Sequence, residues 1–216
     1  MGLRISGRHM GASFVYFSGT TSNTFTGDVY VSERANVLVL EKDGGAISVR
    51  GNITVSNHGV LVIKRSNQTL NSSILKISNS HLEFGNIEIE LSNRFRNLVV
   101  EGGSTLNFFH YDKGITYASK RYLYLDDIDI YQEGTLLVKE WSEGRDFLLV
   151  RKGSQGLAAA LKKLNFQGYD PNNIHLVDYS KDYWYISAAP EPAACGAILG
   201  AVGLAVVVVR RRQRKR

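Results

Sequence analysis

The sequence predicts an all-β fold: a right-handed parallel β-helix (solenoid), closed by a small C-terminal α+β cap and followed by a C-terminal transmembrane helix. Three observations carry that prediction. Short apolar segments rich in Val, Ile and Leu alternate with period two, and no helical period persists before residue 155. Near-copies of these segments recur at a spacing in the low twenties. The chain then ends in an uncharged apolar run followed directly by arginines.

Residues 1–17, MGLRISGRHMGASFVYF, hold basic residues but no uninterrupted apolar stretch. They do not make a secretory signal peptide. They are expected to be a disordered or truncated N-terminus, and an exported body would imply an earlier start or a longer reading frame.

Residues 18–139 read as the solenoid repeats. Val29-Tyr30-Val31 and Val37-Leu38-Val39-Leu40 are followed by Ile53-Thr54-Val55, Val60-Leu61-Val62-Ile63, Ile74-Leu75-Lys76-Ile77 and Leu82-Glu83-Phe84. Ile87-Glu88-Ile89-Glu90-Leu91, Leu98-Val99-Val100, Leu106-Asn107-Phe108, Ile128-Asp129-Ile130 and Leu136-Leu137-Val138 complete the set. GDVYVSERANVLVLEK lays over GNITVSNHGVLVIKR with one deletion, and weaker copies place positions 31, 55, 77, 100 and 130 in equivalent places. One coil cannot bury its own apolar row, so stacked neighbours must cover it. A β-sandwich shares the short strands and frequent turns, and the match between the first two repeats favours the solenoid over it. Gly27, Gly51, Gly59, Gly102, Gly103 and Gly134 fall at strand junctions, where positive φ is expected. Asn57-His58, Asn79-Ser80 and Asn93-Arg94 are expected polar corners.

Gly19, Thr24, Phe25, Thr26 and Gly27, followed by Val31, Leu38 and Leu40, resemble the autotransporter-associated β-strand repeat. Glu33-Arg34-Ala35-Asn36 departs from that family, which usually has a glycine-centred turn there. The resemblance implies a parallel β-helix on an exported protein and no particular activity.

Residues 140–187 read as a capping segment. Leu137-Val138-Lys139-Glu140-Trp141 and Asp146-Phe147-Leu148-Leu149-Val150 look like two strands across a tight turn at Gly144. Ser154 is placed to cap a helix over residues 156–164, with Leu157, Leu161 and Leu164 on one face. Ile174-His175-Leu176-Val177 and Trp184-Tyr185-Ile186 give two further strands. Trp141, Phe147, Phe166, Tyr169 and Trp184 are expected to pack this cap, which keeps the last coil from templating aggregation.

Residues 188–216, AAPEPAACGAILGAVGLAVVVVRRRQRKR, carry the functional signal. Pro190-Glu191-Pro192 makes a stiff hinge that cannot continue a helix. The run from Ala193 through Ile198, Leu199 and Leu204 to Val209 holds about 17 uncharged residues, the lower limit for a spanning helix. Arg210, Arg211, Arg212, Arg214, Lys215 and Arg216 would stop transfer and hold this end in the cytoplasm, with the body outside. This three-part order resembles the PEP-CTERM sorting signal. The resemblance implies an exosortase-type membrane processing enzyme of a Gram-negative bacterium as partner, passage through the membrane, and delivery of the body to the cell envelope or extracellular matrix, with exopolysaccharide a further partner there.

The charge balance fits. The tail holds six of the 26 Lys and Arg residues and, in Glu191, one of the 20 Asp and Glu, which leaves 20 against 19, so the nearly neutral body gives no argument for nucleic acid. Cys195 is the single cysteine and lies in the apolar run, which excludes an internal disulfide. The densest carboxylate cluster, Asp126-Asp127-Ile128-Asp129, reads as an acidic strand edge before it reads as a Ca²⁺ site. Five scattered histidines (His9, His58, His81, His110, His175) show no metal-ligand spacing. Asp112, Lys113, Arg121, Asp126 and Asp127 are the residues a polysaccharide-cleaving β-helix would need to bring together. The sequence thus predicts a non-enzymatic exported solenoid with no catalytic residues, metal or cofactor; its alternative is a surface-anchored carbohydrate-active or polysaccharide-binding β-helix.

Overall fold

Alternating Val, Ile and Leu residues build a stack of about six coils. The structure, a computed structural model, describes residues 2–7, 12–34, 36–85, 90–109, 120–131 and 133–189. Each coil gives one strand to each of two sheets. The pairs are β1 (Leu3–Ile5) and β2 (Ser13–Phe17), β3 (Val29–Ser32) and β4 (Asn36–Leu40), and β5 (Ile53–Ser56) and β6 (Val60–Ile63). Next come β7 (Ile74–Ser78) and β8 (His81–Phe84), β9 (Glu90–Glu101) and β10 (Gly103–Asn107), and β11 (Lys120–Ile130) and β12 (Thr135–Lys139). The chain continues through β13 (Asp146–Arg151), a one-turn helix α1 (Leu157–Ala160), β14 (Leu164–Phe166), β15 (His175–Asp178) and β16 (Tyr183–Ser187).

Odd strands β1 to β13 form the parallel part of one sheet, and even strands β2 to β14 form the other. The sandwich is thereby excluded, since its sheets would be antiparallel. The repeat register holds along the stack: Val31 pairs with Val55, Val55 with Ile77, Ile77 with Val100 and Val100 with Ile130. In the second sheet Val15, Leu38, Leu61, Leu82, Leu106, Val138 and Phe166 form the matching column. Each fully buried aliphatic side chain in such a column contributes about 1.5–3 kcal/mol. Phe84, Phe108, Trp141 and Phe166 extend the core as successive edge-on ring contacts, with centroids 5.8, 5.1 and 4.9 Å apart.

A third side grows along the stack. Early coils join there through the isolated parallel bridge Val49–Thr69 and a buried polar column. The Gln68 side chain accepts from the Lys42 amide and donates to the Lys42 carbonyl, and the Gln68 backbone amide donates to Asn93 Oδ1. Later coils replace this with continuous strand. The first halves of β9 and β11 pair from Glu90–Lys120 to Phe95–Leu125, and β13 adds to Arg121 through Leu125. Parallel growth on this side stops at β16, which pairs antiparallel with β13 and with β15.

Several expectations are corrected. The stack begins before residue 18: β1 pairs with β3 and β2 with β4, because Leu3, Ile5, Val15 and Phe17 continue the inward rows. The parallel ladder also passes residue 139, ending at β13 and β14. β12 and β13 belong to different sheets and are not a hairpin. The helix over 156–164 shrinks to α1 and a 3-10 turn, and Leu164 already lies in β14. Asn93 and Arg94 lie inside β9, where Asn93 serves the turn of the coil below by donating to the Arg65 carbonyl. The Asn57, His58 and Asn79 corners do take positive φ, and Glu33 (75°) adopts it without a glycine. Of the six junction glycines only Gly102 (63°) has positive φ. Gly51 is needed for space: a Cβ there would sit 2.4 Å from the Gly27 carbonyl oxygen of the coil below. Among the described residues no helix is long and apolar enough to cross a membrane, and the expected spanning segment lies outside them.

Candidate functional site

The expected sorting motif (Pro190, Glu191, Pro192), anchor residues (Ala193, Ile198, Leu199, Leu204, Val209) and stop-transfer cluster (Arg210, Arg211, Arg212, Arg214, Lys215, Arg216) all lie outside the described residues, as does Cys195. The structure does fix what leads into them. Among the described residues β16 is the last strand, and both Ser187 and Ala188 are buried. Ser187 Oγ donates to Glu143 Oε1 at 2.7 Å, and the Tyr185 hydroxyl donates to the same oxygen at 2.5 Å. Burial, then that carboxylate, pushes the Tyr185 phenol up. Ala188 and Ala189 separate this anchored strand from Pro190.

The acidic cluster has structural employment. Asp126 accepts from Arg94 Nη2 at 2.6 Å and from the Tyr183 hydroxyl at 3.3 Å. Asp129 accepts from Asn97 Nδ2 at 2.8 Å. Asp127 stands at the start of α1, where it accepts from Ser154 Oγ and from the Gly156 amide at 3.1 Å. Burial alone would raise the Asp127 pKa, but these bonds and the Ile128 and Gln155 amides bring it below the usual value. Ser154, expected as the helix cap, therefore serves the residue that does cap it. Among the described residues no group of three or more His, Cys, Asp or Glu is placed to hold a metal ion.

Arg121 is interior. Its side chain is 1% exposed and lies 2.7 Å from Asp146, itself fully buried. Arg121 Nη1 also donates to the Phe109 carbonyl at 2.7 Å, and Asp146 accepts from the Ser142 amide at 2.7 Å. Burial lowers the Arg121 pKa and the neighbouring Asp146 carboxylate opposes that shift. A groove-lining role for Arg121, Asp126 and Asp127 together is not what the geometry gives, and Asp112, Lys113, His9 and His110 lie outside the described residues. His58, at a corner, lies close enough to His81, at the start of β8, for their charges to interact, while His175 begins β15. Burial, then Lys139 and His58, lowers the His81 pKa.

A concavity that the sequence reading missed lies on the outer face of the second sheet. It encloses about 530 Å³, within the range of small-ligand sites. Val39 and Val62 form its floor, while Phe14 and Tyr16 stand on one side and Phe109 on another. The Phe14 and Tyr16 rings stack at 6.1 Å and are each about half exposed. Two ion pairs run along the groove, Lys64–Glu41 at 3.1 Å and Arg65–Asp43 at 3.2 Å. Lys64 Nζ also lies 5.6 Å from the centre of the Tyr16 ring. Burial, then the Glu140 charge, raises the pKa of Glu83 at its edge. The signal was present in the sequence: the outward positions of β2, β4 and β6 are Phe14, Tyr16, Val39 and Val62, where a solvated face calls for polar residues.

Comparison with protein-family models, with curated proteins and with solved structures finds no match to this chain.

Proposed function

We propose that this chain is a non-enzymatic exported β-solenoid, processed through its C-terminal tail by an exosortase-type membrane enzyme and destined for the Gram-negative cell envelope or extracellular matrix. The observation that carries the reading is the order of Pro190-Glu191-Pro192, an uncharged apolar run and six terminal cations, placed directly after a folded β-rich body. The arginines hold the tail on the cytoplasmic side while the hinge presents its prolines at the membrane surface. The solenoid is right-handed, as crossovers between parallel strands in one sheet nearly always are. The segment after residue 139 acts as its cap, a role supported by antiparallel β15 and β16 and by α1 lying against β11. The structural work assigned to Asp126, Asp127, Asp129 and Arg121 favours a scaffold over an enzyme. The test is the fate of the tail in an exporting host with a signal peptide supplied. Truncation after Ala189 should free the body from the membrane, and continued retention would sink the anchor.

A second reading, a polysaccharide-binding β-helix, is favoured by one observation: the aromatic-walled groove with ion-paired polar groups. Ring faces suit the apolar face of a sugar, and the paired charges suit its hydroxyls. Tyr16→Ala should weaken binding of an envelope oligosaccharide at least tenfold in calorimetry. Equal binding by both proteins, or none by either, would remove this reading and leave the first untouched.

A further inference from the structure

The groove on the second sheet has one unbalanced end. Its floor follows the strand register: Tyr16, Val39, Val62 and Glu83 stand opposite one another on β2, β4, β6 and β8. Three strand spacings of about 4.8 Å put Glu83 about 14 Å from Tyr16 along that floor. The Tyr16 end balances its own charge. Lys64 pairs with Glu41 and Arg65 with Asp43, and Lys64 also lies against the Tyr16 ring. Glu83 is left over. Among the described residues it has no ion-pair or hydrogen-bond partner, and the neighbouring charge that acts on it is the Glu140 carboxylate, of the same sign. Glu83 is half-buried two residues before Gly85, where Phe109 of the next coil closes in. A Cβ at Gly85 would lie 2.6 Å from the Phe109 carbonyl oxygen and 2.9 Å from the Phe109 Cβ. The absent side chain leaves Glu83 and Phe109 to line that end of the cavity.

We propose that the groove selects a glycan with free amino groups, an ammonium group meeting Glu83 while sugar rings lie along Val39 and Val62. Charge decides the sign of the ligand. Three carboxylates against two cations line the cavity, so one negative charge is left once both ion pairs form. An ammonium there makes a charge-assisted hydrogen bond to a carboxylate that burial strips of water without replacing it. The floor decides against a peptide. β4, β6 and β8 are each paired on both sides, so no strand edge within the groove is open to an added strand. Outward valines between aromatic side chains suit the apolar faces of sugar rings instead. The inference rests on the polysaccharide-binding reading of the groove and is independent of the tail.

The experiment compares two probes by calorimetry near neutral pH on the full chain in a mild detergent: a fully deacetylated glucosamine hexamer and its fully N-acetylated counterpart. The amine form should bind about tenfold tighter or more, as one hydrogen bond between charged groups allows. Glu83→Gln should erase that preference and leave binding of the N-acetylated hexamer unchanged. Glu133→Gln, which alters an exposed carboxylate in the turn before β12, should keep it. If Glu83→Gln does not fold by circular dichroism, Glu83→Thr decides in its place, since threonine suits an outward strand position. Equal binding of the two hexamers, a preference that survives substitution of Glu83, or one that Glu133→Gln also removes would overturn the inference and leave the groove reading standing. No binding of either hexamer would overturn both. Tighter binding of a lysine hexapeptide than of the amine hexamer would overturn it in favour of a basic peptide.

Discussion

Arg121 and Asp146 form the most demanding contact in the molecule at the residue scale. Both side chains are removed from water at a separation of 2.7 Å, so each depends on the other and on the backbone groups around it. Arg121→Ala should cost about 3–5 kcal/mol, because it strands a buried carboxylate. Arg121→Met with Asp146→Leu should recover much of that loss, since apolar groups of similar size leave no charge unpaired. Urea unfolding of the three proteins measures this, and a single variant costing under about 1 kcal/mol would contradict it. The pair was partly legible. In KRYLYL the inward row reads Arg121, Leu123, Leu125, and in DFLLV it reads Asp146, Leu148, Val150. Opposite charges at the same register of adjacent coils are an interior pair, but that register was visible only once β13 was known to follow β11. The groove stayed hidden for a related reason. Period two separates two faces without saying which outward residues a neighbouring coil will leave exposed.

Among the elements, α1 shows how a tertiary partner overrides a local signal. Ser154 sits where an N-cap belongs, yet Asp127 of β11 reaches the amide of Gly156 and Ser154 turns to Asp127. A carboxylate at a helix start is the stronger cap because it meets the orphan amides with charge as well as with an acceptor. The Asp127 pKa is lower folded than unfolded, so its contribution is complete above the unfolded value of about 3.9. It is lost as pH falls through the folded value. Asp127→Asn should therefore lower stability by about 1 kcal/mol at neutral pH and flatten the acid limb of the melting curve below about pH 5. Thermal melts from pH 3 to 7 check this, and parallel profiles for the two proteins would count against it. Strand identities were the most legible feature, since β-branched alternation fixes both strand and inward row. The third side was least legible: polar Gln68 and Asn93 hold places that Leu123 and Leu148 take two coils later.

For the whole molecule, the repeat dictates the architecture. Equivalent positions spaced by 22 to 30 residues stack in one buried column, and the excess in the longest coils leaves the column undisturbed. Parallel growth of the first sheet stops at an antiparallel pair after β13. That ending was not legible, because it depends on which strand reverses direction and not on periodicity. At the C-terminal end β16 leaves two residues, the buried Ala188 and Ala189, between the hydrogen-bonded Ser187 and Pro190. The direct measurement is the intact mass and location of this chain in an exporting Gram-negative host that carries an exosortase-type enzyme, with a signal peptide supplied. The predicted result is a product shortened near Pro190-Glu191-Pro192 and recovered outside the inner membrane, matched in location by the chain truncated after Ala189. A full-length product left in the membrane, or a truncated chain that remains there, would contradict it.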